Sequence, residues 1–142
     1  MPLERTVSKL PVMDAKAATG VGNLIDVTTY GDIVVAVTAD VNASLTYKFQ
    51  GSIGASVSSG AAPTFSSAQA VLNHWDYIAS YDYQTPGTVI TGDTGVTLNN
   101  DTVVNNSHLY IVNVSGLTWF SMEITSYTDG ALTSWVAGYT AE

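Results

Sequence analysis

From Leu24 onward the dominant pattern is a period of two, in which apolar and polar residues alternate. This alternation constrains the fold more than any other feature. In the stretch LTYKFQ, for example, Leu45, Tyr47 and Phe49 alternate with polar residues. Such alternation is typical of strands that bury one face. The runs are rich in Val, Ile, Thr and Tyr, whose side chains fit a pleated sheet. The chain is therefore predicted to be mostly β.

Two runs add detail to this prediction. Ile33, Val35 and Val37 alternate with residues that are themselves mostly apolar, which predicts a central strand. Residues 75–82 (WDYIASYD) are predicted to form one strand.

The last two runs carry a further prediction about faces and turns. Alternation along residues 118–127 places Trp119 and Tyr127 on the face opposite Phe120. Asp129 and Gly130 then separate the two runs, as a hairpin turn requires.

About eight short strands, with turn signals every 8 to 12 residues, predict a β-sandwich or barrel. A doubly wound α/β fold is excluded because the strands do not alternate with helical patterns. Propellers and solenoids are disfavoured because no repeat of 20 to 50 residues occurs.

The ends of this pattern suggest a division of the chain. Residues 1–22 contain Pro2 and Pro11 and show no sustained period, which predicts an extended N-terminal arm before a sandwich domain at 23–142. A small, polar stretch (GSIGASVSSGAAP) predicts a flexible insert near residues 51–73, with a short helix beginning at Ser66.

Charge is distributed unevenly along the chain. Residues 1–16 hold three of the four basic residues (Arg5, Lys9 and Lys16) against two acids, whereas the rest holds Lys48 against ten acids. This acidity disfavours nucleic-acid binding, which requires Lys and Arg to neutralise phosphates. No window approaches the roughly 18 apolar residues that a membrane-spanning helix needs, so no membrane partner is expected.

Catalytic and metal-binding patterns are missing from the sequence. There is no Cys, and the two histidines, His74 and His108, lack acidic neighbours. Aspartates such as Asp76 and Asp82 occur in turn-like contexts, where Asp commonly caps its own backbone. We therefore expect no enzymatic activity, no cofactor and no metal.

The aromatic residues leave two interpretations open. Trp75, Tyr77 and Tyr81 cluster in one segment, as in binding modules that stack sugars on exposed rings. Burial in a core or in an interface between subunits is the favoured alternative.

Three segments carry a resemblance to a known class: YKFQGSI (47–53), HWDYIASYD (74–82) and the run from HLYIVNVSGL to WVAGY (108–139). They resemble small β-sandwich proteins of tailed-bacteriophage virions, of the capsid decoration (cement) type. With the periodicity, this resemblance predicts an all-β, jelly-roll-like antiparallel β-sandwich with an extended N-terminal arm. The long insert before Trp75 departs from the pattern, which usually has a short turn there.

The resemblance implies a non-enzymatic virion protein that is made in the host cytoplasm, binds the major capsid protein on the outer surface of a phage head, and forms a homotrimer. Because the N-terminal arm differs in charge from the rest, we expect the capsid contact at Arg5, Lys9, Leu10 and Lys16. The alternative is a phage fibre or carbohydrate-binding module that recognises a host surface through Trp75, Tyr77 and Tyr81.

Overall fold

The computed structural model describes residues 5–54, 75–99 and 107–141. Within these ranges the backbone forms twelve β-strands and no helix. The strands are β1 (Arg5–Lys16), β2 (Gly20–Val21), β3 (Ile25–Asp26), β4 (Asp32–Ala39), β5 (Ser44–Ser52), β6 (Trp75–Ile78), β7 (Ser80–Asp82), β8 (Val89–Ile90), β9 (Val96–Asn99), β10 (Ser107–Asn113), β11 (Trp119–Asp129) and β12 (Leu132–Ala141).

The strands form two antiparallel sheets. Sheet A has the order β1-β12-β4-β10-β7-β8, and sheet B has the order β2-β11-β5-β6, with β3 also on β11 and β9 also on β5. Strands from the two ends of the chain pair in nested order, β1 with β12, β2 and β3 with β11, and β4 with β10. A long antiparallel ribbon wrapped in this way is a jelly roll. The predicted all-β sandwich is therefore confirmed.

The core lies between the inner faces of the sheets, and alternation explains which residues it receives. Strand β4 lies between β12 and β10, as its sequence predicts, and buries Ile33, Val35 and Val37. Strand β5 of sheet B buries Leu45, Tyr47 and Phe49 against them. Other fully buried core residues are Val112, Phe120, Met122, Ile124, Leu132 and Val136.

A bulge in β11 changes the face of one aromatic residue. The register of β11 on β5 shifts between Ile124 and Ser126. Beyond this shift Tyr127 is the partner of the inward-facing Leu45 and packs against the core. The prediction that Trp119 and Tyr127 share a face is therefore wrong, because one inserted residue reverses the alternation.

Two predicted connections within a sheet are instead crossings between sheets. Residues 75–82 form two strands, β6 in sheet B and β7 in sheet A, which separate at Ala79. Asp129 ends β11 and Gly130 follows it with a positive φ, but β11 belongs to sheet B and β12 to sheet A, so their connection is not a hairpin. Each crossing lets both flanking strands bury a face on the same core.

The N-terminal segment is extended, as predicted, but it does not form an arm separate from the sandwich. Strand β1 pairs with β12 along the edge of sheet A, and its Val12 and Met13 are part of the core. Two register shifts, between Pro11 and Met13 and between Met13 and Lys16, interrupt its alternation, so a period-two search misses this strand. The segment then continues into sheet B through β2.

The predicted insert begins later than expected. Gly51 and Ser52 continue β5, and a Cβ atom on Gly51 would lie 2.5 Å from Cδ1 of Leu117, so a larger residue there would displace that side chain. The description ends at Gly54 and resumes at Trp75. The rest of the insert near 51–73, including the helix predicted from Ser66, lies outside the described residues.

Candidate interaction surface

The outer face of sheet A carries two neighbouring rows of apolar side chains. Trp135 and Leu109 are both cross-strand partners of Ala36, and these three residues form the first row. The pairing of β12, β4, β10, β7 and β8 aligns a second row across five strands. We call the two rows the apolar band, which consists of Trp135, Ala36 and Leu109 together with Ala137, Val34, Ile111, Tyr81 and Val89.

The band is open to solvent and carries no charge. Exposed fractions are 49% for Leu109, 50% for Val89, 42% for Tyr81 and 38% for Trp135. Because neighbouring strands are about 4.8 Å apart, the second row extends for ~19 Å from β12 to β8. A contiguous apolar surface of this kind is typical of sites at which folded domains contact another molecule.

Side-chain size gives the band relief. Ala36 and Val34, on the central strand β4, are small, whereas Trp135 on β12 and Leu109 on β10 are large. The outer face therefore has a shallow valley along β4 beside the ridge of β10, and Trp135 closes its other side at Ala36.

A groove lies at one end of the band. It has a volume of about 210 Å³, and its apolar lining includes Tyr81, Tyr83, Pro86 and Ile111. The turn after β7 forms one wall, and the backbone amide of Tyr83 donates to the carbonyl of Leu109 at 3.0 Å. The groove extends the apolar surface beyond the sheet itself.

The residues predicted to contact a capsid lie on or near strand β1. Arg5 and Lys9 are backbone partners of Ala141 and Ala137, and their side chains lie outside the described part of the structure. Leu10 is 39% exposed. Lys16 is half-buried beside a cleft that Asp14 also lines.

Register places this basic segment beside the apolar band. Pro11 of β1 is the cross-strand partner of Trp135, and Lys9 is the partner of Ala137. The segment of different charge therefore borders the outer face of sheet A, a relationship that the sequence does not reveal.

The three aromatic residues proposed for ligand stacking do not share a surface. Trp75 is 6% exposed and lies with Tyr77 on the outer face of sheet B, whereas Tyr81 lies on the outer face of sheet A. The two tyrosines are therefore on opposite sides of the sandwich, because the chain changes sheets at Ala79.

The outer face of sheet B has a polar cluster instead of an apolar band. The Tyr77 hydroxyl and Nε2 of Gln50 each donate to Oε2 of Glu123 at 2.7 Å, and Nζ of Lys48 lies 4.7 Å from the centre of the Tyr77 ring. Burial raises the pKa of Tyr77 well above its usual value, and its hydrogen bond to Glu123 adds to this. Gln50 is completely buried, so these groups fix one another rather than present a binding site.

A second polar cluster crosses the core. The hydroxyl groups of Tyr47 and Tyr110 hydrogen bond to each other, and Nδ1 of His108 lies 3.5 Å from Oδ2 of Asp82. Burial raises the pKa of Tyr47 well above its usual value and that of Tyr110 to about 12, so both hydroxyls keep their protons even in mildly alkaline solution. The tyrosine pair therefore joins the sheets and offers no ready nucleophile.

Among residues 5–54, 75–99 and 107–141, no group of three or more His, Cys, Asp or Glu side chains is placed to hold a metal ion. Over the same part of the chain, no helix is long and apolar enough to cross a membrane.

The sequence does not predict the apolar band, although it carries one signal of it. The two outward positions at the centre of β4, Val34 and Ala36, lack polar side chains, and this pattern is also typical of a strand buried inside the sheet. Both explanations hold, because β4 is central and its outer face belongs to the band.

The fold and this surface define a class: a jelly-roll β-sandwich domain with an uncharged face suited to contact with another macromolecule. Among solved structures, the crystal structure of the SPBc2 prophage-derived protein YomS is similar, with a TM-score of 0.64 over 96% of each chain and 10% sequence identity. At that identity the likeness establishes the fold alone. No family model matches this chain, and no curated protein matches it.

Proposed function

We propose that this protein is a structural component of a phage virion, of the decoration or cement type, that binds the outer surface of the head and stabilises it. The observation that carries the proposal is the apolar band, bordered along β1 by the basic segment of an otherwise acidic chain. Such a surface suits a protein partner better than a small ligand, because its contacts are broad and uncharged. The prophage origin of the structural neighbour supports the proposal.

In this proposal the partners are the major capsid protein and further copies of the chain, with a homotrimer as the expected form. Arg5, Lys9, Leu10 and Lys16 contact the capsid lattice through the β1 edge. Basic side chains at the rim of a contact guide association with an acidic partner surface. The protein acts by packing, without catalysis.

The test is binding to heads of the encoding phage that have been purified without this protein. The double variant Arg5→Glu/Lys9→Glu should weaken binding about tenfold or more, because both basic side chains become acidic. Asn99→Glu is the charge control, since Asn99 is exposed on β9, which belongs to sheet B. Absence of wild-type binding, or equal binding by the double variant and the wild type, would contradict the proposal.

A further inference from the structure

We propose that the apolar band is the contact between copies of this chain, with Leu109 and Ile111 of one copy seated in the Ala36 valley of its neighbour. The inference rests on the proposed function in taking the chain to be an oligomeric component of a particle. It adds the surface, the residues and the packing of the contact.

The side chains of two neighbouring strands, β10 and β4, have complementary shapes. Leu109 and Ile111 form a ridge on β10, and Ala36 and Val34 form the adjacent valley on β4. Interdigitation of large and small side chains is how packed layers reach the density of a protein interior. One face therefore offers both halves of the contact, so two copies related by a twofold axis can pack face to face, each filling the valley of the other.

The absence of charge in the band also favours a second copy of this acidic chain. The chain has a formal charge of −8, so most contacts between two copies would bring carboxylates together. The band has no Asp or Glu, and its members are Trp, Tyr, Leu, Ile, Val and Ala. A second copy can approach this face without opposing like charges across the centre of the contact, and aromatic residues without charged ones are typical of interface centres.

Some other molecules that could cover the apolar band are disfavoured by the charge of the chain. An acidic chain is repelled by nucleic acid and by anionic membranes. A lipid surface and the capsid protein are the remaining competitors for an apolar face, and both become outcomes of the test.

The test is the native mass of the purified chain, measured by light scattering or sedimentation over a range of concentrations without capsids. The wild type should exceed the 14.9 kDa of one chain. Leu109→Asp should weaken self-association by about 30-fold or more, because association would bury an unpaired carboxylate. Since Leu109 is 49% exposed, the folded single chain tolerates this change, and circular dichroism verifies that it does.

Val41→Asp is the matched control, because Val41 is 51% exposed in the turn between β4 and β5 and lies outside the band. It should keep the wild-type mass. Ala36→Arg, which fills the valley, should act as Leu109→Asp does.

Wild-type protein that stays at the mass of one chain, or Leu109→Asp that keeps the wild-type mass, overturns the inference. A single-chain mass together with sedimentation on phosphatidylcholine vesicles overturns it in favour of a lipid surface. Self-association without binding to phage heads overturns the proposed function but supports this contact. A protein that binds heads but stays at the mass of one chain supports the proposed function and overturns this contact.

Discussion

The hydroxyl groups of Tyr47 and Tyr110 hydrogen bond to each other in the centre of the sandwich, where they join β5 of sheet B to β10 of sheet A. Both side chains are almost fully buried, and their rings meet edge to face with centroids 6.1 Å apart. A buried hydroxyl without a partner destabilises a fold more than the bond itself stabilises it. The pair therefore favours one register between the two sheets.

Replacement of one tyrosine of this pair should lower the free energy of unfolding by more than half as much as replacement of both. Tyr47→Phe leaves the Tyr110 hydroxyl without this partner and should lower the free energy of unfolding by about 1 to 2 kcal/mol. Tyr47→Phe/Tyr110→Phe should cost less than the sum of the single variants, with a coupling of about 1 kcal/mol. Urea denaturation of the four proteins measures this cycle, and strict additivity would show that the bond has no energetic role.

Alkaline pH should destabilise the fold in a defined window. Burial raises the pKa of Tyr110 from 10.0 to about 12 and raises that of Tyr47 as well. Between pH 10 and 12 the unfolded chain loses these protons while the folded chain keeps them, so ionisation favours unfolding. The stabilisation is complete below pH 10 and is lost as pH rises through 12. Denaturation at several pH values should show a smaller fall for Tyr47→Phe/Tyr110→Phe, and equal falls would refute this assignment.

The polar cluster on sheet B should contribute to stability through Glu123. Tyr77→Phe removes one of the two hydrogen bonds to Oε2 of that carboxylate and should lower the free energy of unfolding by about 1 to 2 kcal/mol. Tyr83→Phe is the control because Tyr83 is 50% exposed, and it should change stability by less than about 0.5 kcal/mol. Thermal and urea unfolding provide the comparison, in which equal effects would argue against a role for the cluster.

Two glycines allow backbone strain to be separated from steric conflict. Gly116 and Gly130 both have positive φ, +81° and +91°. A Cβ atom on Gly130 would lie 2.7 Å from Cα of Ala43, whereas one on Gly116 would meet nothing within 4 Å. Gly116→Ala should lower the free energy of unfolding by about 1 kcal/mol, from backbone strain alone. Gly130→Ala should lower it by about 3 kcal/mol or more, because the steric conflict adds to the strain. If the two variants were equally stable, the close approach at the β11–β12 turn would be disproved.

Strands β4, β5 and β11 could be predicted because their alternation is a local property. Each places a side chain inward at every second residue, β11 as far as its bulge after Ile124, and burial of one face follows from that spacing. Strand β1 could not be predicted in the same way, because two bulges and Pro11 interrupt its pattern. Its place in the sheet depends on β12, which lies more than 100 residues further along the chain.

Which residues share a surface could not be predicted from local sequence either. Tyr77 and Tyr81 are four residues apart and appeared to share a strand, yet they lie on opposite sides of the sandwich, because the chain crosses between sheets at Ala79. Nothing local marks that crossing, since both flanking segments bury a face on the same core.

The sequence by itself determined that this chain folds as an all-β sandwich and that its charge is concentrated as basic residues at the N-terminus and acidic residues elsewhere. Alternation and composition are enough for this, because burial acts on each strand separately. Only the tertiary structure decided which strands are neighbours. That pairing aligns Trp135, Ala36 and Leu109 in one row and places the basic segment beside them. The physical reason is that a surface is made by register between distant strands, which no local pattern encodes.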